Sequence, residues 1–275
     1  MAINDITLAG GMRGNLVNLQ LISALQSRTT ERLATGKRVN TAVDDPAAYF
    51  AAAAHRSRAG DLAARKDAMG EAIQAVKAAS QGIDAIVKLI EQAKGLTAAA
   101  RSASVDDSAT LATQFDELMS QVDQLAGDSG YKGTNFLDGS ELVVDFNEDA
   151  SSSLTITGFD ASSGGAVGTG LGIEAAANDW ATAGDVDVAV GQLDTALTTL
   201  RTQGKTLASS SGVVTTRQEF TTNLINTLTT GADALTAADT NEEGANMLAL
   251  QTRQQLGVVA LQLSNQAQQS ILRLF

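Results

Sequence analysis

The chain of 275 residues contains no cysteine, one proline and one histidine, and aromatic residues make up only 4% of it. Without cysteine it can form neither a disulfide framework nor a thiolate metal site. So few aromatic side chains argue against a thick globular core, and the alanine- and leucine-rich segments favour long, thin helix bundles. The sequence has no apolar run of about eighteen residues, so we expect no membrane insertion. It also has no basic and apolar signal region, so we expect no cleaved leader.

Catalytic motifs are missing as well. His55 is the only histidine, and it has no second histidine or cysteine with which to form a zinc site of the usual kind. No serine-centred nucleophile motif or phosphate-binding loop occurs, and GTGLG at residues 168–172 lacks the spacing of a dinucleotide-binding turn. We therefore predict that the protein is not an enzyme and uses no cofactor or metal.

The net charge of −12 is unevenly distributed. Residues 1–27 sum to zero and residues 246–275 to +2, so the middle of the chain carries −14. An acidic body between nearly neutral ends disfavours binding to nucleic acid or an anionic membrane. This charge distribution suits a protein that forms a large assembly, because the acidic body keeps the assembly dispersed in water.

The C-terminal thirty residues predict an amphipathic helix with an unusual polar face. Apart from Arg253 and Arg273, that face consists mainly of glutamine and asparagine, which do not repel a like copy. Such a helix suits packing among identical copies. Its apolar stripe, spaced by three and four residues, consists of Leu256, Val259, Leu263, Ala267, Ile271 and Leu274.

The N-terminus carries a matching helix that is also poor in charge. Pairing of the two helices within one monomer is one interpretation; the other is self-association, which buries apolar surface that would otherwise lower solubility. The apolar stripe of this first helix consists of Leu8, Met12, Leu16, Leu19, Ile22, Leu25, Thr29 and Leu33.

Between the ends, the sequence predicts two long helices and one shorter helix. Asp44 or Asp45 caps a helix that begins at Pro46 and runs to about Ala100, because proline fits the first helical turn. Asp106 and Asp107 cap a shorter helix that stops at Gly127. The heptad stripe of the first long helix consists of Met69, Ile73, Val76, Ser80, Ile83, Val87 and Ile90.

The rest of the middle of the chain lacks the helical spacing of apolar residues until the second long helix. Two β-favouring runs, residues 142–146 and 154–159, predict a small hairpin, and residues 160–172 predict a loop. Asp185 opens the second long helix, and the stretch from Gly231 connects it to the terminal helix. We therefore expect a mainly α fold: a long antiparallel coiled-coil rod with paired terminal helices and a β-hairpin in the middle.

Three segments resemble one known family. TGKRVNTAVDDPAAYFAA at residues 35–52, YKGTNFLDG at residues 131–139 and ALQTRQQLGVVALQLSNQAQQSILRLF at residues 249–275 are similar to bacterial flagellins. The resemblance covers both ends and most of the helices, and leaves only about residues 140–183 unplaced. It is closest to short, alphaproteobacterial-type flagellins without large outer domains.

The resemblance implies a subunit of the helical, extracellular flagellar filament used for swimming. Export would follow the flagellar type III pathway without a cleaved signal. Residues 1–33 and 246–275 would form the inner tube, residues 34–45 and 231–245 the connections, and residues 46–230 the outer tube, with the insertion at 140–183. Implied partners are further copies of the chain, an export chaperone on the C-terminal helix, and the filament cap and hook-associated proteins.

Immune recognition and modification are two further expectations. Flagellins seen by Toll-like receptor 5 carry an arginine and a glutamate where this chain has Gln92 and Gly95, so we expect weak or absent activation. Family members are also often O-glycosylated on exposed hydroxyls. The candidate positions, which polarity of the helix surface would also explain, are Thr206, Ser209, Ser210, Ser211, Thr215 and Thr216.

Two other classes of protein fit parts of this sequence. A chemoreceptor signalling hairpin is also a long heptad hairpin, but it has no β insertion and normally follows membrane helices. A hook-filament junction protein shares the terminal helices and joins two structures instead of forming one.

Overall fold

The computed structural model describes residues 10–164 and 170–272, and it is mainly helical within them. The long helices are α1 (Gly10–Thr35), α2 (Pro46–Ala100), α3 (Val105–Asp128), α4 (Ala183–Thr236) and α5 (Thr240–Leu272). A 3-10 turn, Ala177–Trp180, precedes α4. Strands β1 (Glu141–Asp145) and β2 (Ser153–Thr157) form the antiparallel hairpin, with Glu141 opposite Thr157 and Asp145 opposite Ser153. The predicted fold class is confirmed.

The chain divides into two compact units. One comprises residues 1–57 and 228–275, and the other comprises residues 58–227. The division falls within α2 and α4, so each of these continuous helices contributes to both units. We call them the terminal unit and the body unit.

The body unit holds the larger core, to which α2, α3, α4 and the hairpin contribute. Along α2 the buried stripe differs in part from the predicted heptad: Ala72, Ala79 and Ile86 are buried, whereas Ile73, Ser80 and Val87 are only half-buried. The sequence favoured the larger side chains, but small alanines let neighbouring helices approach closely. Gly82 marks a close approach of another kind, because a Cβ there would lie 2.7 Å from Leu137 Cδ1 in the segment between α3 and β1.

Two helix starts differ from the predictions. Asp106 and Asp107 do not cap α3; they lie in its first turn, and Ser104 is the cap, with its Oγ accepting from the Asp107 amide at 3.3 Å. The carboxylates still favour the helix N-terminus through its partial positive charge. Helix α4 begins at Ala183, two residues before the predicted start, because Thr182 and Asp185 exchange side-chain-to-amide hydrogen bonds as a capping box.

The predicted C-terminal connection, residues 231–245, is mostly helical. Helix α4 continues through Gly231 to Thr236 because Ala232 and Thr236 are buried, and their burial stabilises the extra turn. Helix α5 then begins at Thr240, where Asp239 Oδ1 accepts from the Asn241 amide at 2.8 Å. Only residues 237–239 remain outside the helices.

The two connections lie side by side within the terminal unit. The Arg38 amide donates to Thr236 O at 2.7 Å, and the Ala238 amide donates to Gly36 O at 2.9 Å. Arg56 adds an ion pair with Asp233 at 3.1 Å. These backbone bonds join segments that are far apart in sequence, next to the end of α1, the end of α4 and the start of α5.

Candidate assembly surface

Helices α1 and α5 pack along each other in the terminal unit. The row of α1 that is most protected from solvent includes Met12, Leu19, Ile22 and Thr29. Gln26 Nε2 also donates to Gln254 Oε1 across the pair at 3.2 Å, as expected of amide-rich helices. The corresponding row of α5 consists of Glu243, Met247, Leu250, Gly257, Leu261 and Ser264.

Gly257 is the point of closest approach in this pair. A Cβ at this position would lie 2.7 Å from Leu19 Cδ2, so the missing side chain makes room for the leucine. Near the other end of the pair, Arg32 Nη1 lies 2.7 Å from Glu243 Oε1, and the Glu243 residue is only 7% exposed. An ion pair and a leucine against a glycine together set the register of α5 on α1.

The predicted stripe of α5 does not face α1. Leu256 is 64% exposed, Val259 58% and Leu263 67%, and Ala267 is exposed as well. These side chains form a second apolar row beside the one that α1 covers. In a single chain they remain in contact with water.

The predicted stripe of α1 is partly covered and partly exposed to solvent. Met12 is buried, and Leu19, Ile22 and Leu33 are half-buried, whereas Leu16 and Leu25 are exposed. The other predicted positions, Leu8, Leu274 and the side chain of Ile271, lie outside the described residues.

Four further large apolar residues of the pair are exposed and were missed from the sequence: Val17, Leu21, Leu248 and Val258. For Val17, Leu21 and Val258 the signal was present, because each lies beside a predicted position, but a single-stripe analysis discards it; Leu248 lies before the first predicted position of α5. We call the exposed residues Leu248, Leu256, Val258, Val259 and Leu263 the outer face of α5, and the exposed residues Leu16, Val17, Leu21 and Leu25 the outer face of α1.

Charge is balanced in the terminal unit. It contains eight lysines or arginines and eight aspartates or glutamates, so the whole net charge of −12 belongs to the body unit. Within residues 246–272 the only charged side chain is Arg253. An apolar, nearly uncharged face on a neutral unit has little to oppose contact with another copy.

The turn before α2 is held by two carboxylates. Asp44 Oδ2 accepts from the Thr41 amide at 2.9 Å and from the Asn40 amide at 3.1 Å. The bond from the Thr41 amide is the main reason that the pKa of Asp44 lies below its usual value. Asp45 lies directly before α2, whose first residue is Pro46. Its Oδ1 accepts from the Ala48 amide in the first turn of that helix, at 3.1 Å.

The candidate modification positions lie on α4. Thr206, Ser209, Thr215 and Thr216 are exposed, whereas Ser210 and Ser211 are half-buried. The three threonine hydroxyls each donate to the carbonyl four residues earlier in the helix, at 2.9–3.2 Å.

Gln92 and Gly95 are exposed on α2. Gln92 lines a groove between α2 and α3 together with Leu96, Gln114 and Leu118. No heavy atom from outside its own helix turn lies within 4 Å of a Cβ built on Gly95, so the position has room for a side chain.

The described residues contain no group of three histidines, aspartates or glutamates that could hold a metal ion. His55 is half-buried on α2. Among the helices of the described ranges, none is both long and apolar enough to cross a membrane.

Long helices, the packed pair α1 and α5, and an apolar face left uncovered define a structural protein that associates with copies of itself. Comparison with known proteins identifies the family. Residues 9–141 match the bacterial flagellin N-terminal helical region, and residues 190–275 match the bacterial flagellin C-terminal helical region. The chain is 32% identical to flagellin FljM and 30% identical to flagellin FljO of Caulobacter vibrioides, and each match covers 100% of both chains.

A more distant relative is a flagellin as well. A flagellin of Brucella melitensis is 27% identical over 96% of this chain and 99% of its own length. The crystal structure of Bacillus cereus flagellin shares 16% identity and a TM-score of 0.47 over 55% of this chain and 86% of that one, a likeness too low to bear on the fold.

The chain belongs to the bacterial flagellin family. It is a structural subunit of the extracellular flagellar filament and not an enzyme. The comparisons name flagellins, so the hook-filament junction alternative is not favoured.

Proposed function

We propose that the outer faces of α1 and α5 are the surfaces through which copies of this flagellin join in the filament. The single observation that carries this proposal is the exposure of Leu256, Val259 and Leu263 beside an inner row that α1 already covers. Helix α5 needs only one apolar row to pack on α1, so its second, exposed row is free for a different contact. Burial against neighbouring copies gives it one.

The energy available is large enough to matter. Burying a leucine or valine fully contributes about 1.5–3 kcal/mol, and these three side chains retain more than half of their surface for that purpose. Together they could supply about 3–5 kcal/mol per subunit, which corresponds to a change of roughly two to four orders of magnitude in the critical concentration for elongation.

Seeded assembly tests this proposal. Purified monomer is added to short filament seeds, and elongation is followed by electron microscopy for the natural chain and for the triple variant Leu256→Ser, Val259→Ser, Leu263→Ser. We expect the natural chain to elongate seeds and the variant to leave them short. Normal elongation by the variant would refute the proposal.

We also propose that residues 1–33 and 246–275, within the terminal unit, form the inner tube of the filament, and that residues 46–230, most of which belong to the body unit, form the outer tube. The neutral charge of the terminal unit and the acidic charge of the body unit support this arrangement, because repulsion between bodies is tolerated best where water and salt can screen it. A filament reconstruction with the body unit next to the central channel would contradict it.

Before assembly, the outer face of α5 is an aggregation hazard that a flagellar export chaperone would cover. In a pull-down with that chaperone we expect the Leu256→Ser, Val259→Ser variant to bind more weakly than the natural chain. Equal binding of the variant and the natural chain would mean that the chaperone contacts another part of the protein. Interaction with the cap and hook-associated proteins, and type III export without cleavage, stay predictions; the intact mass of the secreted protein checks the latter.

Weak or absent activation of Toll-like receptor 5 is proposed from Gln92 and Gly95. Both positions are exposed, and a Cβ built on Gly95 meets no atom within 4 Å, so the backbone there accepts the side chain that the Gln92→Arg, Gly95→Glu variant introduces. In a reporter-cell assay with monomer, we expect low activity from the natural chain and higher activity from the variant. Full potency of the natural chain would contradict the proposal.

O-glycosylation is proposed at the exposed hydroxyls Thr206, Ser209, Thr215 and Thr216, with Ser210 and Ser211 as half-buried and therefore less accessible candidates. We expect native filaments to yield subunits heavier than the bare chain. The added mass should fall when Ser209 is changed to alanine or the threonines to valine. A native mass equal to that of the bare chain would end this proposal.

A further inference from the structure

A second uncovered apolar surface lies in the terminal unit, at the start of α2. Val43 is 93% exposed and Phe50 is 63% exposed, although Phe115, Phe136 and Phe146 are buried. The sequence of residues 46–54, PAAYFAAAA, contains no charged or amide side chain. We call this surface the α2 patch; its exposed residues are Val43, Pro46, Ala47, Phe50, Ala51 and Ala54.

The α2 patch is held in a fixed conformation. The turn that presents Val43 is closed by Asp44, whose Oδ2 accepts from the Asn40 and Thr41 amides and from Thr41 Oγ1 at 2.9–3.1 Å. Phe50 stands on the second turn of α2, where its ring meets the edge of Tyr49 with centroids 5.5 Å apart. A surface that is already ordered loses little conformational entropy when it binds.

Charge indicates which partner fits. Asp44 places a carboxylate beside Val43 at one end of the α2 patch. The outer face of α5 is apolar too, and its only charged neighbour within residues 246–272 is Arg253. Among the described residues, Arg253 has no carboxylate within ion-pair distance in its own chain, so its guanidinium is available to one from another chain.

We propose that the α2 patch of one copy packs against the outer face of α5 of a second copy, with Asp44 opposite Arg253. This pairing rests on the proposed function and deepens it by naming the surface that covers Leu256 and Val259. The two surfaces differ, so the contact is heterologous, and repetition of such a contact builds an open helical polymer when the rotation does not close a ring.

The absence of cysteine makes the pairing directly testable, because introduced thiols are the only ones present. Phe50→Cys monomer is mixed with Val259→Cys monomer, elongated from seeds of the natural chain and treated with a short bis-maleimide. Val105→Cys, whose valine is 65% exposed in the body unit, replaces Phe50→Cys in the matched control. We expect crosslinked dimers from the Phe50–Val259 combination and only background from the control.

A second measurement uses no crosslinker. We expect Phe50→Ser to raise the critical concentration for elongation about tenfold, with the circular dichroism and melting temperature of the monomer unchanged because the ring is exposed there. Val105→Ser should leave the critical concentration unchanged. Crosslinking no better than the control, or elongation of Phe50→Ser at the natural critical concentration, would overturn the pairing.

These outcomes separate the two proposals. If the triple serine variant of α5 elongates seeds normally, the proposed function itself fails. If that variant does not elongate but the Phe50–Val259 combination gives no crosslink, the outer face of α5 still joins copies and only its pairing with the α2 patch is wrong.

Discussion

Leu250 and Leu256 lie six residues apart on α5, and we expect them to have different roles. Leu250 is 8% exposed in the row that meets α1, whereas Leu256 is 64% exposed on the outer face. The same change, leucine to serine, should therefore destabilise the monomer at one position and weaken only the polymer at the other. This pair is the sharpest comparison that the helix offers.

The magnitudes follow from burial. Truncating a buried leucine costs about 2–5 kcal/mol, so Leu250→Ser should open the α1–α5 pair in the monomer. At Leu256 about two-thirds of the side chain's surface remains to be buried on assembly, which corresponds to about 1–2 kcal/mol and a rise of roughly 5- to 30-fold in critical concentration.

The assay has two readouts for each variant. Thermal unfolding of the monomer, followed by circular dichroism, reports the α1–α5 pair, and the monomer concentration left at the end of seeded elongation reports the polymer contact. We expect Leu256→Ser to unfold like the natural chain and to leave more monomer. A monomer destabilised by Leu256→Ser as much as by Leu250→Ser would show that both rows pack within the monomer, contrary to this assignment.

Two further predictions concern the terminal unit. Gly257→Ala should lower the melting temperature of the α1–α5 pair, because the new methyl group meets Leu19 Cδ2 and the leucine must turn away; hydrogen exchange of α5 amides in the monomer measures the loss, and unchanged protection would contradict the packing. Asp44 should stabilise its turn fully above the ordinary carboxyl pKa of 3.8 and lose this effect as the pH falls through its lowered folded-state pKa. Asp44→Asn should therefore increase exchange of the Thr41 amide at neutral pH but differ little from the natural chain in strong acid; an equal difference at both would rule out the carboxylate's charge as the cause.

The sequence was sufficient for the elements that local signals define. Proline at residue 46 after two aspartates placed the start of α2, and alternating β-branched runs placed both strands. Residues 35–52, 131–139 and 249–275 were enough to indicate the family. In each case the physical cause lies within a few neighbouring residues.

The sequence was insufficient where two faces of one helix compete. Leu256, Val259 and Leu263 form a stronger apolar stripe than Leu250, Gly257 and Leu261, so periodicity selected the row that α1 leaves uncovered. Gly257 contributes nothing to apolar periodicity, yet its missing side chain admits Leu19. Which row docks depends on the shape of the partner helix, and that information is not local.

Gly231 illustrates the same limit at a helix end. Glycine commonly ends helices, and the acidic, non-periodic residues after it suggested a connecting segment. Helix α4 nevertheless continues to Thr236, because Ala232 is fully buried and the Thr236 carbonyl receives the Arg38 amide. Contacts with a segment almost two hundred residues away outweighed the local preference.

If the outer face of α5 joins the copies, Val259 loses its contact with solvent when the chain polymerises. The chain has no other thiol, so the rate of maleimide labelling of a Val259→Cys variant reports this position alone. We expect rapid labelling of the monomer, where Val259 is 58% exposed, and strong protection in filaments. Equal labelling rates in monomer and filament would contradict the claim that the outer face of α5 joins the copies.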